Sequence, residues 1–221
     1  MTILYGNKQV DVLHVSKPNS KYGAKVDNFL GDVDETGLLK PPSGDVLNLS
    51  FNNVKFIEGD HILAYKFANA QNIGKVDFPD LTSVYMSYSL FNAFFKSSIK
   101  EINFPELTEI TEQSFSNICA RCYYLTSVNL PKLKILRSKA LEGAFSYAGY
   151  FDTNGFTTIS FPSLNSVATN AFGIDNNTYA FLGCIKLTEI HFRANMQATI
   201  EAMTGYTAKW GATNATIYFD L

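Results

Sequence analysis

A ten-residue motif recurs through this chain at nearly constant intervals, and its clearest copy is Glu101-Ile-Asn-Phe-Pro-Glu-Leu-Thr-Glu-Ile110. Further copies begin at Lys75, Ser127 and Thr158, and a degenerate copy begins at Glu189. The proline of the motif, or the residue in its place, recurs at spacings of 26, 26, 31 and 31 residues. A fixed period in this range predicts a repeat solenoid, in which each coil buries its apolar face only against neighbouring coils.

The same five positions are apolar in every full copy. Counted from the proline they are −6, −3, −1, +2 and +5, and chance would fill only about half of them in a chain that is 46% apolar. These residues are Ile73, Val76, Phe78, Leu81 and Val84; Ile99, Ile102, Phe104, Leu107 and Ile110; Leu125, Val128, Leu130, Leu133 and Leu136; and Phe156, Ile159, Phe161, Leu164 and Val167. Positions −3 and −1 alternate with polar neighbours, which indicates a short strand with one face in the core. The proline that follows cannot donate a ladder bond and therefore ends the strand.

Residues 1–45 lack the repeat and are predicted to form a separate N-terminal region. The strand-like runs Thr2–Tyr5 and Gln9–Val15 flank the turn pair Gly6-Asn7, a pattern that predicts a β-hairpin. Farther along, we predict a short helix around Ala24–Leu30.

Two imperfect motifs lie between the hairpin and the first full copy. Asp32–Gly37 resembles the start of a calcium-binding loop, but position twelve of that loop is Ser43 in place of the bidentate Glu that an EF-hand requires. A polar turn is therefore the preferred interpretation. Leu47–Phe51 is a divergent first copy of the repeat, in which Ser50 is predicted to take the place of the proline.

After Arg193, which replaces the last expected proline, the chain is predicted to form a cap. Ala194–Met203 has the pattern of a helix that Gly205 would end, and Ala215–Phe219 that of a closing strand. Trp210 is expected to pack in this cap, because a single large aromatic side chain is usually mostly buried. The predicted domains are an N-terminal hairpin region at 1–45, a solenoid at 46–193 and a C-terminal cap at 194–221.

The three cysteines are predicted to be structural. Cys122 and Cys184 occupy the same repeat position two coils apart, where strand-like stacking would separate them by ~10 Å, beyond the ~7 Å limit for a disulfide. We expect both to behave as small buried apolar residues. Cys119 and Cys122 form a lone Cys-x-x-Cys without the second pair of ligands that a zinc site needs, so zinc or redox chemistry is the weaker interpretation.

The repeats share a consensus of Leu-Thr-x-Ile/Val-x-Phe/Leu-Pro, then Leu-x-x-Ile, then Ala-Phe or Ser-Phe before Cys. Ala180–Phe192 shows it most fully, and its Ala-Phe element is echoed at Ala171-Phe172, Ala144-Phe145 and Ser114-Phe115. Over about residues 47–193 this pattern resembles the BspA-type bacterial leucine-rich repeat. The resemblance implies a β-rich leucine-rich-repeat array of short parallel strands, with turns or 3₁₀ segments on the side away from the strands. It also implies adhesion or contact with a host surface.

Composition narrows the classes of partner. A net charge of −2 with acidic and basic residues intermixed favours neither nucleic acid nor an anionic membrane surface. No apolar run approaches the ~20 residues of a membrane-spanning helix. The start Met1–Lys8 lacks the features of a secretory signal, so a cytoplasmic location is expected by default, with an extracellular or virion-associated location as the alternative. We expect no cofactor and no metal site.

Two polar columns are predicted to face outward from the strands. One, at position −2, runs from Asn48 to His191, and the other, at position −4, runs from Lys75 to Glu189. The candidate binding residues in these columns are Lys75, Asp77, Glu101, Asn103, Asn129, Ser160, Glu189 and His191. Repeat proteins use such extended faces to bind partners. The alternative is that these residues are polar only because solvent-facing strand positions must be.

Aromatic residues between the strands offer a second candidate surface. They are Tyr85, Tyr88, Phe91, Phe94, Phe95, Tyr123, Tyr124, Tyr147, Tyr150, Phe151 and Tyr179. Tyrosine is favoured in binding surfaces, but its ring also packs in cores, so the sequence leaves both interpretations open.

The sequence contains no recognisable catalytic motif, and an enzyme is therefore not expected. The favoured hypothesis is a non-catalytic binding or adhesion module that presents a solenoid face to a protein or glycan. The alternative is a structural component of a phage particle or cell-surface array that docks through the N-terminal region. A deep pocket that gathers His191, Glu189 and another carboxylate would revive an enzymatic function.

Overall fold

The computed structural model describes residues 47–58, 61–71 and 73–221 and, nearer the N-terminus, strands at 2–5, 8–11, 13–16 and 25–29. The segment Asp32–Gly37 and Ser43 lie outside the described residues. The chain forms a β-solenoid of about 6 turns with parallel strands and little helix, which confirms the predicted repeat solenoid.

The strands are short and recur in the same places in each coil. In chain order they are β1 (Thr2–Tyr5), β2 (Lys8–Asp11), β3 (Leu13–Ser16), β4 (Lys25–Phe29), β5 (Leu47–Ser50), β6 (Phe56–Glu58), β7 (Ile73–Asp77), β8 (Ser83–Tyr85), β9 (Glu101–Asn103), β10 (Glu109–Ile110), β11 (Ser127–Asn129), β12 (Ile135–Leu136), β13 (Thr158–Phe161), β14 (Ser166–Val167), β15 (Glu189–Phe192) and β16 (Thr216–Phe219).

Apart from β3 and β4, which form a two-stranded sheet of their own, these strands line two sides of the solenoid. On the first side, one sheet has the order β2–β1–β5–β7–β9–β11 and another has the order β13–β15–β16. On the second side the order is β6–β8–β10–β12–β14. The motif strands pair in parallel and in register, so that Lys75 lies beside Glu101, which lies beside Ser127. Equivalent side chains of successive coils therefore form columns, as the repeat predicted.

The third side of each coil is a run of consecutive turns. Alternate N–H groups donate to carbonyls of the next coil, as Tyr65 does to Phe91 at 3.1 Å and Phe67 to Ala93 at 2.9 Å. A positive φ recurs at every fourth residue, at His61, Tyr65 and Asn69; Tyr88, Asn92 and Lys96; Gln113, Asn117 and Arg121; and Lys139, Gly143 and Tyr147. A residue other than glycine in this left-handed region costs about 1–3 kcal/mol. The hydrogen bonds between coils hold the backbone there.

Phenylalanine rings stack along the solenoid inside the core. Phe78 lies between Phe51 and Phe104, with ring centroids 4.2 and 4.9 Å away and the rings nearly parallel. All three side chains are buried. The stack follows from the repeat, because position −1 of the motif places the same residue type at the same height in each coil.

The stacking is interrupted between β11 and β13, where the repeat spacing lengthens from 26 to 31 residues. The motif position of the phenylalanines is occupied here by Leu130, and the two strands belong to different sheets. Val128 on β11 is consequently only partly buried. The other predicted core residues are buried, except for Val167 on the edge strand β14.

The predicted hairpin is confirmed in part. β1 pairs antiparallel with β2, but the predicted second strand, Gln9–Val15, is divided between β2 and β3. The helix predicted at Ala24–Leu30 is wrong, because Lys25–Phe29 forms β4 and pairs antiparallel with β3. A strand partner and the β-favouring residues Val26 and Phe29 outweigh the local helical preference.

The predicted register of the first coil is also wrong. Asn48 pairs with Lys75, and Ser50 pairs with Asp77, after a register shift at the start of β5. Asn48 therefore belongs to the column of Lys75, and Ser50 does not take the place of the proline. The core explains the difference, because this register brings Leu49 beside Val76 and lets the coil join the phenylalanine stack.

The C-terminal cap is confirmed in part, because the closing strand forms but the helix predicted over Ala194–Met203 is shorter. A 3₁₀ turn at Ala194–Met196 leads into a short helix, α1 (Gln197–Glu201), and β16 pairs in parallel with β15. Trp210 is buried, and its indole N–H donates to the carbonyl of Thr204 at 2.8 Å. The cap thus covers the apolar end of the last coil.

The phenylalanine stack is expected to dominate the stability of the N-terminal coils. Phe78→Ala removes a ring that contacts both neighbouring coils, and we expect a loss of about 3–5 kcal/mol in the free energy of unfolding, measured with urea. Phe56→Ala is the control, because this ring is 42% exposed, and its loss should be about 1 kcal/mol or less. Similar losses for the two variants would contradict the stack as the main source of stability.

β1 is expected to protect the first coil, because it pairs antiparallel with β5. A variant that begins at residue 46 would expose the edge of β5, and exposed edges pair with other chains. We expect this variant to self-associate with rising concentration in light scattering, while the full chain keeps its mass. A truncated chain that stays monomeric would show that β1 is not needed as a cap.

Candidate functional site

Some polar side chains in the columns predicted on the first side already contact one another. Asp77 accepts a hydrogen bond from the side-chain amide of Asn103 at 2.8 Å, and the Lys75 ammonium lies 3.3 Å from the same carboxylate. Glu101 and Asn129 are exposed. The structure therefore joins Lys75, Asp77 and Asn103 into one small network. Two other candidate residues, Glu101 and Asn129, remain open to solvent.

The columns do not form one continuous ladder. Asn129 ends the first sheet at β11, and Ser160 belongs to β13 in the next sheet. Beyond the break, Ser160 lies beside His191 and Thr158 beside Glu189, and the Thr158 hydroxyl donates to Glu189 at 3.2 Å. A partner that spans the whole face would meet two separate polar groups.

His191 connects two carboxylates at the C-terminal end of this face. Its Nδ1 lies 2.9 Å from an oxygen of Asp220, its Nε2 lies 3.4 Å from Glu189, and its ring stacks on Tyr218. Burial lowers the pKa of His191, but the hydrogen bonds and charges of Asp220 and Glu189 outweigh it and hold the pKa above 6.5. Asp220 is not identifiable from the sequence pattern, because it lies after the last strand and outside the repeat.

This cluster favours a structural role over a catalytic one. Both ring nitrogens of His191 face carboxylates, which stabilises the imidazolium and leaves no free nitrogen to act as a base. The carboxylates of Glu189 and Asp220 are 46% and 50% exposed, so the group lies on the outer surface instead of in the deep pocket that an enzymatic function would need. It fastens the C-terminal residues to β15.

The cysteines are free and buried, as predicted. The thiols of Cys122 and Cys184 donate to the carbonyls of Phe94 and Phe145, each at 2.9 Å, and so connect coils. Burial raises the pKa of Cys184 to about 12, and burial with the neighbouring Cys122 raises the pKa of Cys119 well above its usual range. Thiols of this kind are poor nucleophiles. Within the described residues, no group of three or more His, Cys, Asp or Glu side chains is placed to hold a metal ion.

The aromatic residues predicted as a second surface divide into buried and exposed groups. Phe94 and Tyr179 are core residues. Tyr85 is 41% exposed near the turn that carries Tyr88 and Phe91, whose rings meet edge to face. A second group lies at the corner before the first side and contains Tyr123, Tyr124, Tyr150 and Phe151. We call these four residues the corner cluster.

Phe151 is the centre of the corner cluster. Its ring centroid lies 4.7 Å from that of Tyr123, 5.2 Å from Tyr150 and 6.4 Å from Tyr124. Phe151 is 60% exposed, and Tyr124 and Tyr150 are 43% and 41% exposed. Contiguous exposed apolar side chains of this kind are typical of interaction sites.

A loop with a narrow neck holds Phe151 in place. Gly149 has φ +66, and a Cβ there would lie 2.4 Å from the nitrogen of Phe156, while a Cβ on Gly155 would lie 2.3 Å from the Gly149 carbonyl. Only glycines allow the two ends of the loop to approach so closely. The backbone N–H of Phe151 donates to the Tyr123 carbonyl at 3.0 Å. The loop is thus fixed to the preceding coil.

A cleft of about 320 Å³ opens beside the corner cluster. Tyr123, Tyr124 and Phe151 form one part of its lining, and the remaining lining residues are Asn69, Gln71, Lys96 and Ser97. The cleft therefore combines aromatic faces with amide, hydroxyl and ammonium groups. The sequence analysis named its aromatic residues but missed its polar ones, since they come from two earlier coils.

The chain matches no protein-family model, and no curated protein is significantly similar to it. Among the described residues, no helix is long and apolar enough to cross a membrane.

The His191 cluster predicts a specific dependence of stability on pH. Because the folded-state pKa lies above the ordinary value of 6.5, the stabilisation is fully present below about pH 6.5 and is lost as the pH rises through the folded-state pKa. We expect wild type to exceed His191→Gln by about 0.5 kcal/mol in free energy of unfolding at pH 6, and the difference to shrink as the imidazolium loses its proton at higher pH, where only the ring contact with Tyr218 remains. Urea unfolding at several pH values measures it. Asp220→Asn should reduce the same dependence, and a difference that is constant with pH would contradict the assignment.

Proposed function

We propose that this protein is a non-catalytic binding module that presents a side of its solenoid to a protein or a glycan. The observation that carries the proposal is the corner cluster. Phe151 is 60% exposed, and the loop that carries it is held in one conformation by the close approach of Gly149 and Gly155. Because the Phe151 loop is already ordered, binding a partner there loses less conformational entropy. The resemblance to BspA-type repeats supports a role in adhesion and a bacterial source.

The corner cluster is a better candidate than the polar columns. At the columns, Asp77 and Asn103 already bond to each other, so a ligand would have to displace a contact of 2.8 Å. The rings of Tyr124 and Phe151 instead expose apolar surface to water, and covering it is favourable by about 25 cal/mol per Å². Glu101 and Asn129 would then serve as polar neighbours on the same side of the solenoid.

The docking role of the N-terminal region is less well supported. β1 pairs with β5 and thereby closes the end of the sheet, which is the role that solenoid caps need. A hairpin that is committed to this contact has less surface left for docking onto a larger particle.

The proposal is tested with the full chain on arrays of purified extracellular proteins and of immobilised glycans. We expect at least one class of ligand to bind wild type, and Tyr124→Ala combined with Phe151→Ala to reduce binding about tenfold or more, with the same unfolding midpoint. Phe56→Ala is the matched control, since it removes an exposed phenylalanine from the second side.

Other outcomes of the array experiment discriminate between surfaces. If Asn103→Ala with Asn129→Ala abolishes binding and the corner variants do not, the polar columns are the site. If wild type binds neither class of ligand, the proposed binding function is wrong.

A further inference from the structure

We infer that the cleft beside the corner cluster is a saccharide-binding site that favours sugars carrying a carboxylate. This inference rests on the proposed function and specifies its ligand. It comes from the pairing of exposed aromatic rings with polar groups in one cleft, and it assigns a role to residues of four successive coils.

The aromatic wall suits the faces of a sugar ring. A pyranose presents C–H groups on its faces, and these carry partial positive charge that an aromatic face attracts through its negative quadrupole. Phe151 and Tyr124 are 60% and 43% exposed, so their rings are accessible from the cleft side. Phe151 is held by its backbone bond to Tyr123 and by the narrow loop neck, so the platform is formed before a ligand arrives.

The polar lining suits the hydroxyls on the rim of the same ring. Asn69 and Gln71 offer amide groups, and the hydroxyls of Tyr123 and Tyr124 add to them. The Ser97 hydroxyl is already engaged, because it is buried against the Cys122 sulfur at 3.5 Å. The Asn69 amide and the two tyrosine hydroxyls make no hydrogen bond to any other part of the chain that the structure describes. An apolar peptide segment would bury these groups unpaired at a cost of about 1–3 kcal/mol each, whereas a sugar pairs them.

The charge around the cleft favours an anionic sugar. Lys96 lines the cleft, and its ammonium lies 5.3 Å from the centroid of Phe95, where it has no carboxylate partner among the described residues. Arg121 lies against the same ring at 6.0 Å and against Tyr147 at 5.8 Å. The lining contains no Asp or Glu among the residues described. A uronic or sialic acid unit would therefore place its carboxylate toward Lys96.

The test measures binding of defined oligosaccharides to the full chain by calorimetry. The acidic probes are a hyaluronan hexasaccharide, an oligogalacturonate and sialyllactose, and the neutral probes are maltohexaose and lactose. We expect an acidic probe to bind, Phe151→Ala to weaken it about tenfold, and Lys96→Gln to weaken it about threefold to tenfold and to remove the preference over neutral sugars. Phe56→Ala should bind like wild type, and unfolding curves verify that each variant is folded.

The outcomes separate this inference from the proposed function. Binding to none of the saccharides, or binding that Phe151→Ala leaves unchanged, overturns the saccharide site. If the corner variants then still abolish binding to a protein on the array, the binding module stands with a protein ligand. Equal affinity for neutral and acidic probes, unaffected by Lys96→Gln, overturns the preference for a carboxylate.

Discussion

Hydrogen bonding and packing between coils is the constraint on which the whole structure depends. Phe78 N–H donates to the carbonyl of Asn103 at 2.9 Å, and Phe104 N–H donates to that of Asn129 at 3.0 Å, so each coil completes its bonds only through its neighbour. The phenylalanine rings of these coils stack in the same direction. The coil spacing that results, about 4.8 Å, fixes the spacing of every surface column as well. The surface of this protein is therefore as regular as its core.

Departures from that regularity are where specific surfaces can arise. The longer spacing after Pro131 adds residues that cannot fit into the strand or turn columns, and they leave the solenoid at Gly149 and return at Gly155. The same place shows the break between β11 and β13 and the loss of the phenylalanine stack at Leu130. A solenoid tolerates such an insertion because the coils on either side keep their own contacts. This insertion brings Tyr150 and Phe151 to Tyr123 and Tyr124 of the preceding coil and so completes the corner cluster.

The sequence predicted the parts of the fold that depend on period and failed where a local choice depends on tertiary partners. Leu81 and Leu107 were correctly placed in the core, and each is followed by a threonine, Thr82 or Thr108, whose N–H and hydroxyl both donate to the preceding coil. The strand at Lys25–Phe29 was missed, because its pairing with β3 is not evident from the sequence. The left-handed turns were also missed, although Asn92 and Asn117 at equivalent positions, and Asn69 four residues after Tyr65, are of a residue type that tolerates that backbone.

The candidate site shows the same limit in energetic terms. Sequence alternation identified Asp77 and Asn103 as outward, but it could not show that they satisfy each other and so gain little from a partner. Alternation could not show whether Tyr124 and Phe151 are core or binding residues, because burying an aromatic ring is favourable both in a core and against a ligand. The structure separates the cases by what each group lacks: the polar pair has its hydrogen bond, whereas the exposed rings have apolar surface still in contact with water. Binding energy in a solenoid of this kind therefore comes from residues that interrupt the repeat more than from those that define it.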